Sequence, residues 1–379
     1  MLKRFVLSVA LAMSCAALAA AAPVPQAALA DHGYFFAGGS YQKDADGTVM
    51  TGAMYVHFMV PQRKTHPYPI VMIHGANQSG TNFEGTPDGR EGWADYFVEH
   101  GFAVYVVDQP ARGRSAYHPE LNGKIHAYDA TFASERWIAI ERLNRWPQAK
   151  YHTQWPGSGP QRGQMGDPVF DQLAAAQVEG LVDTDETEQL MRAAGAALLD
   201  RIGPAILLTH SQGGQLGWQI ADARPKLIRG ILALEPSAGP YYIPPLPASI
   251  TPATLGPAYG ITSSPIAYSP AITSPAQLTR VPQTTPDSSD LQPCWQQAEP
   301  ARTLVNLQGF PVLVLVSQAS AFAQTEHCMS RYLAQAGVRN NFVRLEDVGI
   351  LGNGHMMMLE KNNLAIADYL IGYLRGKGL

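Results

Sequence analysis

Residues 205–214, AILLTHSQGG, constrain the fold more than any other stretch of the 379-residue chain. A short run of large and β-branched apolar side chains stops abruptly at a serine followed by two glycines. That order reads as a buried strand feeding a sharp turn into a helix, with Ser211 on the turn. A hydroxyl projected from the end of a parallel sheet needs such a turn, and close backbone approach leaves room only for small neighbours, here Gly213 and Gly214. The turn also leaves the backbone N–H of Gln212 at a helix N-terminus, aimed where an oxyanion would form beside the serine. An ordinary helix N-cap serine would fit the same order, so the weight falls on the rest of the chain.

The surrounding pattern alternates strand and helix. Residues 33–41 and 50–60 read as two strands joined through an Asp-Gly turn, an antiparallel hairpin at the sheet edge. Residues 68–75 and 102–108 are nearly continuous apolar runs, as expected of strands covered on both faces, and 92–101 between them has helical spacing and a terminal glycine. Residues 183–202 open on acidic capping residues and continue with apolar i, i+3, i+4 spacing, a helix leading into the Ser211 strand. The helix after the serine spans 213–223 and stops before Pro225. Strands are expected at 228–234, 311–317 and 341–345, and a closing amphipathic helix at 362–376. Such alternation implies right-handed crossovers and an α/β fold with a mostly parallel central sheet and helices on both faces.

At 209–213, Thr-His-Ser-Gln-Gly, the chain resembles the α/β-hydrolase superfamily, whose nucleophile turn is usually written G-x-S-x-G. Thr209 stands in place of the first glycine, so a β-branched side chain has to find space against the following helix. His74-Gly75, at the end of the 68–75 strand, is similar to the pair that closes the third strand of these enzymes. The resemblance implies that the next backbone N–H, that of Ala76, completes the oxyanion hole. The segment 108–115 resembles the Asp…Gly-x-Ser loop of the family and gives Asp108 no catalytic role.

A proton acceptor and a carboxylate complete the pattern. Of 11 histidines, His355 alone lies on a loop of small residues, flanked by Gly352 and Gly354, after the last strand, where its ring can swing towards the serine. Glu235 follows the 228–234 strand, beside the nucleophile strand, and can orient that ring. Most α/β-hydrolases place the acid after the next strand, but there the chain has no acid until Glu326. Glu235 is therefore the candidate, as in a secreted bacterial esterase branch that the chain resembles, with a Ser-Glu-His triad and its glutamate after strand six. The order Ser211, Glu235, His355 is that of the superfamily. The alternatives are a structural turn histidine and a solvated strand-end carboxylate.

Composition bounds the rest. Hydrophobic residues make up 46% and charged ones 15%, ample for a large core. With 27 basic and 31 acidic side chains the net charge is -4, so no basic field invites nucleic acid. Residues 1–22 have the positive start, apolar segment and alanine-rich end of a secretory signal peptide, which implies a secreted or periplasmic protein. Lipid attachment through Cys15 lacks the leucine expected three positions earlier. No later stretch reaches the roughly 18 uninterrupted apolar residues of a membrane span. Of the 3 cysteines, Cys294 and Cys328 remain after export; in an oxidising compartment they suggest one disulfide, with two buried thiols as the alternative.

Residues 23–379 are read as one α/β-hydrolase domain with insertions at about 116–180 and 237–299. In the first, Tyr117, Tyr128, Trp137, Trp146, Tyr151 and Trp155 either line a substrate pocket roofing the site or anchor the excursion to the body. The second is rich in proline, serine and threonine, which opposes long helices or strands and suggests an extended loop or lid. The run Met356–Met358 reads as core packing.

The expected activity is that of a secreted serine hydrolase acting on small or medium carboxylic esters. Ser211 attacks, His355 moves the proton, Glu235 holds His355, and Ala76 and Gln212 stabilise the oxyanion. The expected partner is a small-molecule ester, and the reaction requires no metal or organic cofactor. The same triad would also serve an amidase, a lactonase or an acyltransferase, and the fold alone would serve a non-catalytic binding protein.

Overall fold

The strands form because the chain supplies apolar runs short enough to cross a sheet once. The computed structural model describes residues 29–45, 47–236, 239–243 and 254–379. The expected signal peptide and Cys15 lie outside the described residues. Eight strands form one sheet: β1 (Leu29–Lys43), β2 (Thr48–Pro61), β3 (Ile70–Ile73), β4 (Val104–Asp108), β5 (Ala205–His210), β6 (Ile228–Leu234), β7 (Val312–Val316) and β8 (Asn340–Arg344). Their order across the sheet is β1-β2-β4-β3-β5-β6-β7-β8. The β1–β2 and β2–β4 pairs are antiparallel, and β3 to β8 are joined in parallel.

Alternation along each strand sorts the core into two layers. Ala205 and Leu207 of β5, with Val312 and Val314 of β7, face one layer. Ile206, Leu208, Leu313 and Leu315 face the other. The first layer is closed by the helices α3 (Thr184–Ile202), α4 (Gly213–Ala223) and α5 (Glu326–Gln335), which contribute Leu198, Leu216 and Leu333. The second is closed by α1 (Trp93–Glu99), α2 (Pro168–Ala175) and α6 (Asn363–Gly376), with Phe97, Phe170 and Leu370. Each fully buried Leu or Phe contributes roughly 1.5–3 kcal/mol, which is why the central strands are apolar on both faces.

Capping fixes where α3 begins. The Asp183 carboxylate accepts from the backbone N–H groups of Asp185 (2.9 Å) and Glu186 (3.2 Å), satisfying donors that the helix leaves open. The described part of 237–299 contains only strands and turns of two or three residues. Its Ile261, Ile266 and Tyr268 pack into the layer beneath α3, α4 and α5. Cys294 and Cys328 are bridged, with Cα atoms 5.2 Å apart, so this segment is tied to α5. Among the described residues, no helix is long and apolar enough to cross a membrane.

Candidate active site

At the carboxyl end of β5 the backbone turns sharply. Ser211 has φ 54°, in the left-handed region, a strained setting for a residue with a side chain. Its N–H donates to the Leu234 carbonyl (3.0 Å) and its carbonyl accepts from Gly214 (2.9 Å), which fixes the turn against β6. Two glycines make the turn possible. A Cβ at Gly75 would lie 2.9 Å from the Ser211 Cβ, and one at Gly213 would lie 2.6 Å from the Ile73 carbonyl.

Thr209, the residue that replaces the usual glycine, is accommodated by Gly217 in α4. A Cβ there would come within 2.7 Å of the threonine methyl. The space usually left by the strand residue is left here by the helix instead.

Glu235 ends β6 in a second left-handed conformation, φ 48°. Its Oε1 accepts from the Ser317 N–H (2.8 Å), and its Oε2 accepts from the Ser320 hydroxyl (2.6 Å) and from His355 Nδ1 (2.5 Å). Burial raises the Glu235 carboxyl to about 8, against the pull of the Ser320 and Ser317 donors. Burial also holds His355 well below the usual histidine range, and the Arg136 guanidinium adds to this. The imidazole is therefore neutral, with Nδ1–H given to Glu235 and Nε2 left to accept a proton.

The His355 loop is moored from two sides. His210, next to the serine, donates from Nε2 to the His355 carbonyl (2.9 Å), and the two rings lie 4.4 Å apart. Burial, and after it the proximity of His355, keep His210 neutral. On the other side Glu360 accepts from the Gly354 N–H (2.9 Å) and from Asn353 Nδ2 (2.7 Å), and pairs with His152 at 2.7 Å. Burial opposes a charge on His152, yet Glu360 and Glu141 raise it to about 9. A buried cation of the 116–180 segment thus grips the histidine loop.

Gln212 caps α4 with helical backbone angles (φ -50°, ψ -33°), leaving its N–H at a helix N-terminus. Ser211, Gln212 and Ala76 are partly exposed, while His210, Gly213, Gly75 and Asn77 around them are buried. Of the residues singled out by the sequence, these three reach solvent, while Glu235 and His355 are buried.

Glu326, the other acid considered, has both carboxylate oxygens buried without a hydrogen-bond partner among the described residues. Burial, and secondarily the charge of Glu235, hold it well above the usual carboxylate range. It is Glu235 that meets the histidine. Asp108 is bonded to the Gly80 N–H (2.7 Å) and to Arg114 Nε (2.8 Å), which ties two loops together.

The aromatics of 116–180 divide between the two roles expected of them. Trp137 packs against the His355 ring with centroids 4.2 Å apart. With Tyr128, Ala133, Phe170, Leu173 and Met356 it lines an apolar recess. Trp146 and Trp155 instead anchor the segment, donating to the Ala319 carbonyl (2.9 Å) and to Asp167 (3.0 Å). Met357 and Met358 are core residues, whereas Met356 both packs in the core and lines the recess. Phe322, His210, Ser317 and Ser320, which also surround the histidine and its acid, carry no motif that a sequence reading could isolate.

A model of the alpha/beta hydrolase family matches residues 70–369. The chain belongs to the alpha/beta hydrolase family. This hydrolase is 43% identical over 345 residues to a probable secreted lipase, phiG, of a fungal species (strain ATCC 74256), covering 90% of this chain and 89% of the relative. Its fold is similar to that of a novel bacterial esterase solved at atomic resolution, with 24% identity, a TM-score of 0.60, and 95% and 98% of the two chains covered.

Proposed function

We propose that the protein is a secreted serine hydrolase of carboxylic esters, working through an acyl-enzyme with Ser211, His355 and Glu235 as its triad. The observation that carries this reading is the 2.5 Å contact between Glu235 Oε2 and His355 Nδ1 beside a serine held at φ 54°. His355 Nε2 takes the Ser211 proton as Oγ attacks the ester carbon. The N–H groups of Ala76 and Gln212 stabilise the oxyanion, and His355 returns the proton to the leaving alcohol. A water activated by the same imidazole then releases the acid.

The apolar recess beside His355 supports an ester with a hydrocarbon acyl group. Each methylene buried there is worth about 0.8 kcal/mol, or about fourfold in kcat/KM, until the recess is full. Export is supported by the composition of residues 1–22 and by the secreted relative. The glutamate after β6 supports placement in the secreted bacterial branch with a Ser-Glu-His triad. We read residues 23–379 as one domain with insertions at about 116–180 and 237–299. The test is a chain-length series of chromogenic esters on the purified protein and on Ser211→Ala. Turnover that climbs with acyl length and vanishes in the variant supports the reading; equal turnover by both would reject it.

A further inference from the structure

Arg112 sits between two left-handed residues, Ala111 (φ 59°) and Gly113 (φ 56°), and is only 3% exposed. A non-glycine residue in that region is a strained device that a fold keeps where a neighbour has to be aimed. The side chain it aims is a buried guanidinium. The carboxylate whose field reaches it, Asp108, is bonded to Arg114 instead. Room for the fork is left by Gly180, where a Cβ would lie 2.6 Å from Nη2.

Arg112 Nη1 donates to the Gly75 carbonyl and to the side-chain oxygen of Gln212, each at 3.1 Å. Gln212 carries one of the proposed oxyanion donors, and Gly75 adjoins the other, Ala76. The Gly75 carbonyl belongs to the same peptide group as the Ala76 N–H. Because a trans peptide is planar, its N–H points opposite to its C=O, and holding one aims the other. A second donor closes the clamp. The Gln109 N–H donates to His74 Nε2 (3.2 Å), which leaves the proton on Nδ1, and Nδ1 donates to the same Gly75 carbonyl (2.9 Å). Donation to a carbonyl also polarises its amide and strengthens the N–H on the far side.

We infer that Arg112 is a positioning residue for the oxyanion hole: its guanidinium locks the Gly75–Ala76 peptide so that the Ala76 N–H faces the developing charge, and ties that peptide to the side chain of Gln212, the residue of the other donor. The inference rests on the serine-hydrolase reading. Loss of an oxyanion donor costs about 10²–10³ in kcat, and a donor left in place but free to rotate loses a part of that.

The experiment compares Arg112→Met, Arg112→Lys and Arg112→Ala with the wild type on one chromogenic ester, together with inhibition by an alkyl boronic acid, whose tetrahedral adduct mimics the oxyanion. The expected result for Arg112→Met is a fall of about 10-fold to 100-fold in kcat with KM nearly unchanged, and an equal fall in boronate affinity. Guanidinium ion added to Arg112→Ala should restore part of the rate. Wild-type kcat and boronate affinity in Arg112→Met would overturn the inference. So would matched losses in KM and melting temperature with an unshifted ratio of boronate to substrate affinity. If Arg112→Met does not fold, Arg112→Lys decides by the same two readouts. A wild type whose boronate affinity is unchanged in Ser211→Ala would reject the serine-hydrolase reading instead.

Discussion

Glu235→Gln separates catalysis from stability at one atom. The carboxylate now accepts from Ser317, Ser320 and His355. An amide keeps an acceptor for Ser317 but turns an NH₂ towards the imidazole, favouring the tautomer with its proton on Nε2, which cannot accept from the serine. A wrong tautomer costs about 10⁴ in kcat in an equivalent triad, or about 5 kcal/mol of transition-state stabilisation. The effect on stability has the opposite sign. Burial raises this carboxyl from 4.5 to about 8, so below that pH the folded state retains a proton that the unfolded chain releases, and the carboxylate that holds His355 forms as that proton leaves. Ionising it in the fold costs on the order of 5 kcal/mol. Stability from this group is therefore complete below pH 4.5 and is lost as the pH rises through about 8. Initial rates on a chromogenic ester and urea unfolding at pH 5 and pH 8 measure both effects. The variant should lose about 10³–10⁴-fold in kcat/KM and unfold at pH 8 no more easily than the wild type. Full activity in Glu235→Gln, with activity abolished in Glu326→Gln, would refute the assignment of the acid.

Three further outcomes follow from the packing. Leu173→Trp should fill the apolar recess and shorten the preferred acyl chain, at about fourfold in kcat/KM per methylene excluded, measured with the same ester series; an unchanged profile would place the acyl group elsewhere. Gly217→Ala should cost about 1–3 kcal/mol by overpacking against Thr209, and Thr209→Gly in the same chain should return most of it in a double-mutant unfolding cycle. Replacing Cys294 and Cys328 by serine opens a loop of 34 residues and should lower unfolding stability by about 3–4 kcal/mol while kcat stays near that of the wild type.

The sheet is legible in the sequence because its central strands are unbroken apolar runs. The 205–210 strand and the 213–223 helix are read to the residue, since serine and glycine punctuate them. The hairpin is longer than its reading, Leu29–Lys43 with Thr48–Pro61, because most residues of its added ends are polar or exposed and carry no hydrophobic period. Ser211, Glu235 and His355 stand out because each follows a strand or lies on a loop of small residues. The clamp and the mooring do not. Arg112 reaches residues 37 and 100 positions away, and His152 meets Glu360 across 208. Nothing local marks such pairs. Trp137 is visible only as one of several aromatics until the π-turn Ser134–Ile138 sets it on the histidine.

The most direct test of the central claim is peptide mapping of the protein after treatment with a fluorophosphonate. The account predicts one adduct, on the peptide carrying Ser211, absent in Ser211→Ala and formed far more slowly in His355→Ala. An unlabelled native protein, or label on another residue with ester turnover intact in Ser211→Ala, would contradict it.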